Sequence, residues 1–208
     1  MASTSVSRSP NSTAANKPSF QFDVSKVAGN ASVEIKERIG NIKEFFSKFV
    51  PEQYRDTPFF GRAIQDRFEI TEVSVLPKPD EPSKLEGRVV VELDVEEDMI
   101  NGGGNIHGGC SAWLVDMAIH NRCSSLAMSA VNLTKEGKDY PSVSQAINMI
   151  YHSPASVGDR LRLINTSMSM GKRTTSARTE IWNVTHHRLV ASGTHVKMMP
   201  SPPPKANL

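Results

Sequence analysis

A long, mainly apolar segment from Gly108 to about Ala130 restricts the fold more than any other feature, because strand-like runs flank it on both sides. Its length suits a helix and exceeds a typical strand. Before it, Phe68, Ile70, Glu72 and Ser74 alternate with Glu69, Thr71, Val73 and Val75, and Gly87 to Val95 is rich in Val. Both stretches are expected to be strands. After it come Ser142 to His152, Arg160 to Met170, Thr174 to Asn183 and Leu189 to Met199, the last two joined by a hairpin turn at Val184 to Arg188. Two strands, one long helix and four strands predict an α+β architecture with the helix laid on an antiparallel sheet.

Residues 31–49 carry a second helical pattern in Val33, Ile35, Ile39, Ile42, Phe45, Phe46 and Phe49, stopped by Pro51. A shorter helical stretch is expected over Glu52 to Asp66, broken at Pro58. Residues 20–66 are therefore expected to form a helical extension packed on the main domain, with partner binding as the other use of such a helix. Residues 1–19 are rich in Ser, Thr, Asn and Pro and predict a disordered tail. Residues 200–208 predict a loose, Pro-rich one. The first 22 residues contain no acid, so a mitochondrial transit peptide is the alternative, although the segment is neither Arg-rich nor amphipathic. The expected location is accordingly cytoplasmic, or mitochondrial if that segment is a targeting peptide.

The 208 residues carry 24 basic and 22 acidic side chains in a scattered arrangement, which argues against nucleic-acid binding. No apolar run reaches the roughly 20 residues of a membrane span. If Cys110 and Cys123 lie on one helix, they stand roughly 20 Å apart along it, beyond disulfide reach. That points to a reducing compartment. The five Asn-x-Ser/Thr sequons, at Asn11, Asn30, Asn132, Asn165 and Asn183, read as chance matches.

The chemistry concentrates in Asn101 to Asp116. Gly108 and Gly109 fall where the helix should begin, and the first turn of a helix has unpaired N–H groups at a positive dipole end. Without a side chain in the way, a substrate oxygen can approach those donors closely, as in an oxyanion hole. Asp116 sits in the apolar run Cys110 to Ile119, where a carboxylate is costly unless it has a partner or a task.

His107-Gly108-Gly109 followed by Asp116, preceded by Asn101 and followed by Ser144 and the run Tyr151 to Ala155, resembles the PaaI-like hotdog acyl-CoA thioesterases over about residues 67–199. The resemblance implies a hotdog fold, an antiparallel sheet wrapped around one long central helix. It implies hydrolysis of acyl-CoA to free acid and coenzyme A. The Gly108 N–H would polarise the thioester carbonyl, and Asp116 would act as general base or nucleophile. Asn101 would help hold the attacking water, Ser144 would orient it, and His107 would support the turn. It implies no metal and no cofactor other than the coenzyme A of the substrate. It also implies a homodimer, or a dimer of dimers. Val143 and Ser144 keep the family pattern, whereas Gln145 departs from it.

Gly108 and Asp116 are eight residues apart, about 12 Å along one helix. One small reacting centre cannot touch both in the same chain, so a shared site needs two chains. Candidate contacts for the phosphates of coenzyme A are Lys172, Arg173, Arg178, Arg188, His195 and Lys197. Of these, His195 and Lys197 share a strand face, expected at the surface. His186-His187 lacks any further metal-ligand spacing. Trp113, Tyr140 and the methionines read as core. Two other functions stay open: a hotdog hydratase or dehydratase, which would use a His with an acid, and an acyl-CoA-binding domain without turnover.

Overall fold

The alternating runs form six antiparallel strands: β1 (Glu69–Pro77), β2 (Leu85–Asp94), β3 (Val143–Tyr151), β4 (Arg160–Met170), β5 (Thr174–Asn183) and β6 (Arg188–Met198). They pair in one sheet in the order β1-β2-β4-β5-β6-β3. The structure, a computed structural model, describes residues 22–41, 44, 52–54, 57, 59–116 and 123–200. β4 and β5 begin and end where the pattern predicts, and the other strands differ by a residue or two at their ends.

Val89, Val91 and Leu93 of β2, Leu161 and Leu163 of β4 and Ile181 of β5 are fully or almost fully buried. They form one cluster with Leu126, Ala127 and Ala130 from the apolar segment. Burying a side chain of this size stabilises the fold by about 1.5–3 kcal/mol. The apolar segment is helical over α3 (Gly108–Asp116) and α4 (Cys123–Glu136); residues 117–122 lie outside the described residues. α4 runs past the expected end at Ala130 because Val131 and Leu133 are also buried. It stops where the Gly137 N–H turns back to the Leu133 carbonyl. α4 lies so close to β2 that a Cβ on Gly87 would sit 1.9 Å from the Ala127 carbonyl oxygen. Only glycine allows this approach.

The strand pattern misleads at β1. A bulge between Ile70 and Glu72 makes Thr71 an extra residue, so Ile70 and Val73, three apart, both reach the core. The even-numbered set from Phe68 to Ser74 therefore does not share one face. The outer edge of β1 is covered by the extension: Ala28 N–H bonds the Thr71 carbonyl at 2.9 Å and Val73 N–H bonds the Ala28 carbonyl at 3.0 Å. A first helix, α1 (Val33–Gly40), is capped by Ser32, whose hydroxyl accepts the Ile35 N–H, and it buries Ile39. Val33 is exposed, so only part of the predicted stripe faces inward. Ile42, Phe45, Phe46 and Phe49 lie outside the described residues, as do residues 1–19. The second stretch is a 3-10 turn at Glu52–Tyr54 and one short helix, α2 (Arg62–Gln65). Two of the sequon asparagines, Asn165 and Asn183, are completely buried.

Candidate active site

The loop before α3 is tied at both ends. Ile106 N–H bonds the Ala155 carbonyl and His107 N–H bonds the Met99 carbonyl. Inside it, the Asn101 carboxamide oxygen accepts from Gly103 N–H at 2.9 Å, an Asx turn that engages Oδ1 rather than Nδ2. His107 Nδ1 accepts the Gly109 N–H at 2.8 Å, so the ring caps one of the four unpaired donors at the helix start. Gly108 N–H, the first of the helix, has no intrahelical acceptor by position. The Tyr151 hydroxyl donates to the Gly108 carbonyl at 3.0 Å. A Cβ on Gly108 would lie 3.4 Å from the Tyr151 ring.

Asp116 ends α3, next to the fully buried Leu114 and Val115. Its own side chain keeps 22% exposure, so it faces an opening rather than the solid core that its neighbours suggest. Burial raises its pKa above the usual carboxylate value, and the Ser144 hydrogen bond and the nearby Lys197 charge pull partly the other way. The Ser144 hydroxyl donates to Asp116 Oδ1 at 2.8 Å. The same Oγ lies 3.0 Å from His195 Nε2, which is itself 3.5 Å from Asp116 Oδ1. An ionised carboxylate only accepts, so Ser144 directs its one proton to Asp116 and its lone pairs towards the imidazole.

His195 and Lys197 therefore differ from the expectation. They share one strand face, but it is the inner one, and they are 0% and 1% exposed. Neither lies on the surface of this chain. Burial, reinforced by the Lys197 charge, lowers the His195 pKa to about 4, so the ring is neutral at neutral pH. The missed signal is the phase of β6: Ala191 and Gly193, both small, precede His195 and Lys197 at the same parity, as the face beneath a helix requires. Ser144 reaches this cluster through a second bulge, between Ser144 and Ala146. Gln145 is the extra residue. In regular pairing, Gln145 would oppose Lys197 and Ser144 would oppose Met198, on the far face.

The other candidates are elsewhere. Lys172 and Arg173 are exposed at the β4–β5 turn, beside a cavity of about 370 Å³ also lined by Lys135, Tyr140 and Met198. Arg178 pairs with Glu180 at 2.7 Å. His186 lies 3.1 Å from Asp159, and among the described residues no three His, Cys, Asp or Glu side chains cluster as a metal site. Burial pushes the Cys110 thiol up to about 11, with Asp98 adding to it, so it is not a thiolate at neutral pH. Trp113 packs on the core, as expected, yet it also lines a larger cavity beside His107 and Gly109.

Residues 103–190 match the Thioesterase superfamily. The chain is 31% identical to mouse acyl-coenzyme A thioesterase 13 over 140 residues, covering 67% of this chain and 84% of that protein. The chain belongs to the thioesterase superfamily. The human acyl-coenzyme A thioesterase 13 is 32% identical over 59% of this chain. Among solved structures, zebrafish thioesterase superfamily member 2 superposes with a TM-score of 0.55 at 26% identity, over 78% of this chain and 98% of that one. The E. coli PaaI protein superposes at a TM-score of 0.50 and 20% identity, over 77% and 97% of the two chains, a likeness of fold alone. The architecture is thus the α+β hotdog fold expected of a thioesterase superfamily member.

Proposed function

We infer that this chain hydrolyses acyl-CoA thioesters to free acid and coenzyme A. The observation that carries this reading is a half-buried carboxylate, Asp116, held by Ser144 on the helix that begins with the Gly108 N–H. Asp116, its pKa raised towards the working pH, takes a proton from water as general base. The hydroxide adds to the thioester carbon, and the carbonyl oxygen becomes an oxyanion facing a Gly108 N–H. Collapse breaks the C–S bond, expels coenzyme A as thiolate and leaves the acid. The Asp116 proton returns to the thiolate. Ser144 orients the base, with His195 behind it, while Asn101 lies in the loop beside Gly108 and His107 holds the turn. Coenzyme A enters as part of the substrate, and Lys172 and Arg173 are the surface cations offered to its phosphates.

Two chains complete the site in this reading, because one α3 cannot bring its Gly108 and its Asp116 to one carbonyl. β3 supports a second copy: it is an edge strand, with Val143, Ile150 and Tyr151 exposed at 45%, 62% and 57%. An uncovered apolar edge of this kind invites strand pairing.

The test is free-thiol release from a panel of acyl-CoAs. A hydratase would consume an enoyl-CoA without releasing thiol, and a binding domain would do neither. Asp116→Asn should lower turnover by about 10²–10⁴ while coenzyme A still binds. Turnover within a factor of about three of wild type would remove Asp116 from the mechanism.

A further inference from the structure

The larger cavity, about 870 Å³, lies between the helix start and residues 59–66. We propose that it receives the acyl group of the thioester, and that the segment Phe59 to Asp66 sets how long that group can be. This rests on the thioesterase reading. The wall includes His107 and Gly109, which flank Gly108. A carbonyl at the Gly108 N–H would therefore place its acyl end at the cavity mouth. Phe59, Phe60, Ile64, Met99, Ile100 and Trp113 supply an apolar lining, suited to hydrocarbon and not to phosphate. Of the charged residues that also line it, Asp66 among them, Asp98 is paired with Arg67 at 2.6 Å and the Arg62 guanidinium lies 5.4 Å over the Phe59 ring. The volume lies high in the range of about 300–1,000 Å³ that takes whole small ligands, far more than an acetyl group fills.

The segment is built against the helix. Gly61 has φ +74, and a Cβ there would lie 2.1 Å from Trp113 Cζ2. Phe60 meets Trp113 edge-on, with ring centroids 5.9 Å apart, yet is 80% exposed. An aromatic ring held at a cavity mouth with most of its surface in water gains apolar contact when a chain enters beneath it. The occupant is a medium or long alkyl chain, or an aryl group with comparable reach.

The experiment compares kcat/KM for acetyl-, octanoyl- and palmitoyl-CoA in wild type, Phe60→Ala and Cys110→Phe, with Cys110→Phe filling the cavity. Each variant should lower the palmitoyl-to-acetyl ratio of kcat/KM by about tenfold or more. A second readout needs no turnover. Trp113 and Trp182 are the two tryptophans, so Trp182→Phe leaves Trp113 as sole emitter. Its fluorescence should shift on adding a long-chain alkyl ketone analogue of acyl-CoA, and not with coenzyme A alone. Ratios unchanged within about twofold for both variants, with no Trp113 response, overturn the proposal. If no acyl-CoA releases thiol, the thioesterase reading fails, and the Trp113 response alone decides the cavity. If Phe60→Ala does not fold, Cys110→Phe and the fluorescence decide it.

Discussion

Asp116 is held where its charge is disfavoured, and the cost is visible as a pKa raised by burial. A carboxyl whose folded pKa exceeds its unfolded one binds its proton more tightly in the native state. Its contribution to stability is then present below the unfolded pKa and is lost as pH rises through the folded pKa. Asp116→Asn removes that loss, since an amide oxygen can still accept from Ser144. The variant should melt at a higher temperature than wild type at neutral pH. The gap should close at about pH 4 and below, where both forms are uncharged. Thermal melts across that range check it, and a wild type more stable than the variant at neutral pH would contradict the sign. Activity and stability would then move in opposite directions at one residue, as at many active sites. Asp116 was legible in the sequence because a lone acid in an apolar run is conspicuous. His195 and Lys197 were not, because the small Ala191 and Gly193 that mark their face are a weaker sign than a basic side chain is of a surface.

At the scale of elements, the strands were legible because alternation reports half-buried sheet directly. The bulges in β1 and β3 were not: the extra residues are Thr71 and Gln145, and neither residue type marks an irregular backbone. The start of α3 was legible from its glycines, but the reach of α4 to Glu136 was not, since Asn132, Thr134 and Lys135 dilute the apolar pattern there. The bulge in β3 has a direct functional test. Deleting Gln145 removes the extra residue, so β3 should pair regularly with β6 while Ser144 stays opposite Lys197, on the inner face. The sheet should survive, because bulges interrupt ladders locally, and the far-ultraviolet spectrum and a cooperative melt should confirm this. Turnover should stay within about tenfold of wild type, because Ser144 still faces Asp116, whereas Ser144→Ala should lower it by about tenfold or more by removing that hydrogen bond. A folded Ser144→Ala variant with wild-type turnover would show that Asp116 does not need the Ser144 hydroxyl.

For the whole molecule, the spacing of Gly108 and Asp116 on α3 predicts a complementation result. Each site would draw Asn101 and Gly108 from one subunit and Asp116 and Ser144 from the other. Asn101→Ala and Asp116→Asn proteins should each be poor enzymes. In a mixed dimer, one site carries both lesions and the other carries neither. Subunit exchange between the two variants should therefore restore thiol release towards one working site per heterodimer, with heterodimers confirmed by differential tags. Confirmed heterodimers without recovery would require a site built within one chain. With a site shared in this way, the same eight-residue spacing would also make catalysis obey mass action in the protein itself. A solitary subunit would hold an acid and an oxyanion donor that never meet on one substrate. Below the dimer dissociation constant, the rate should then scale with the square of enzyme concentration rather than its first power. The amount of protein in its compartment would thus set not only how much enzyme is present but what fraction of it is an enzyme at all.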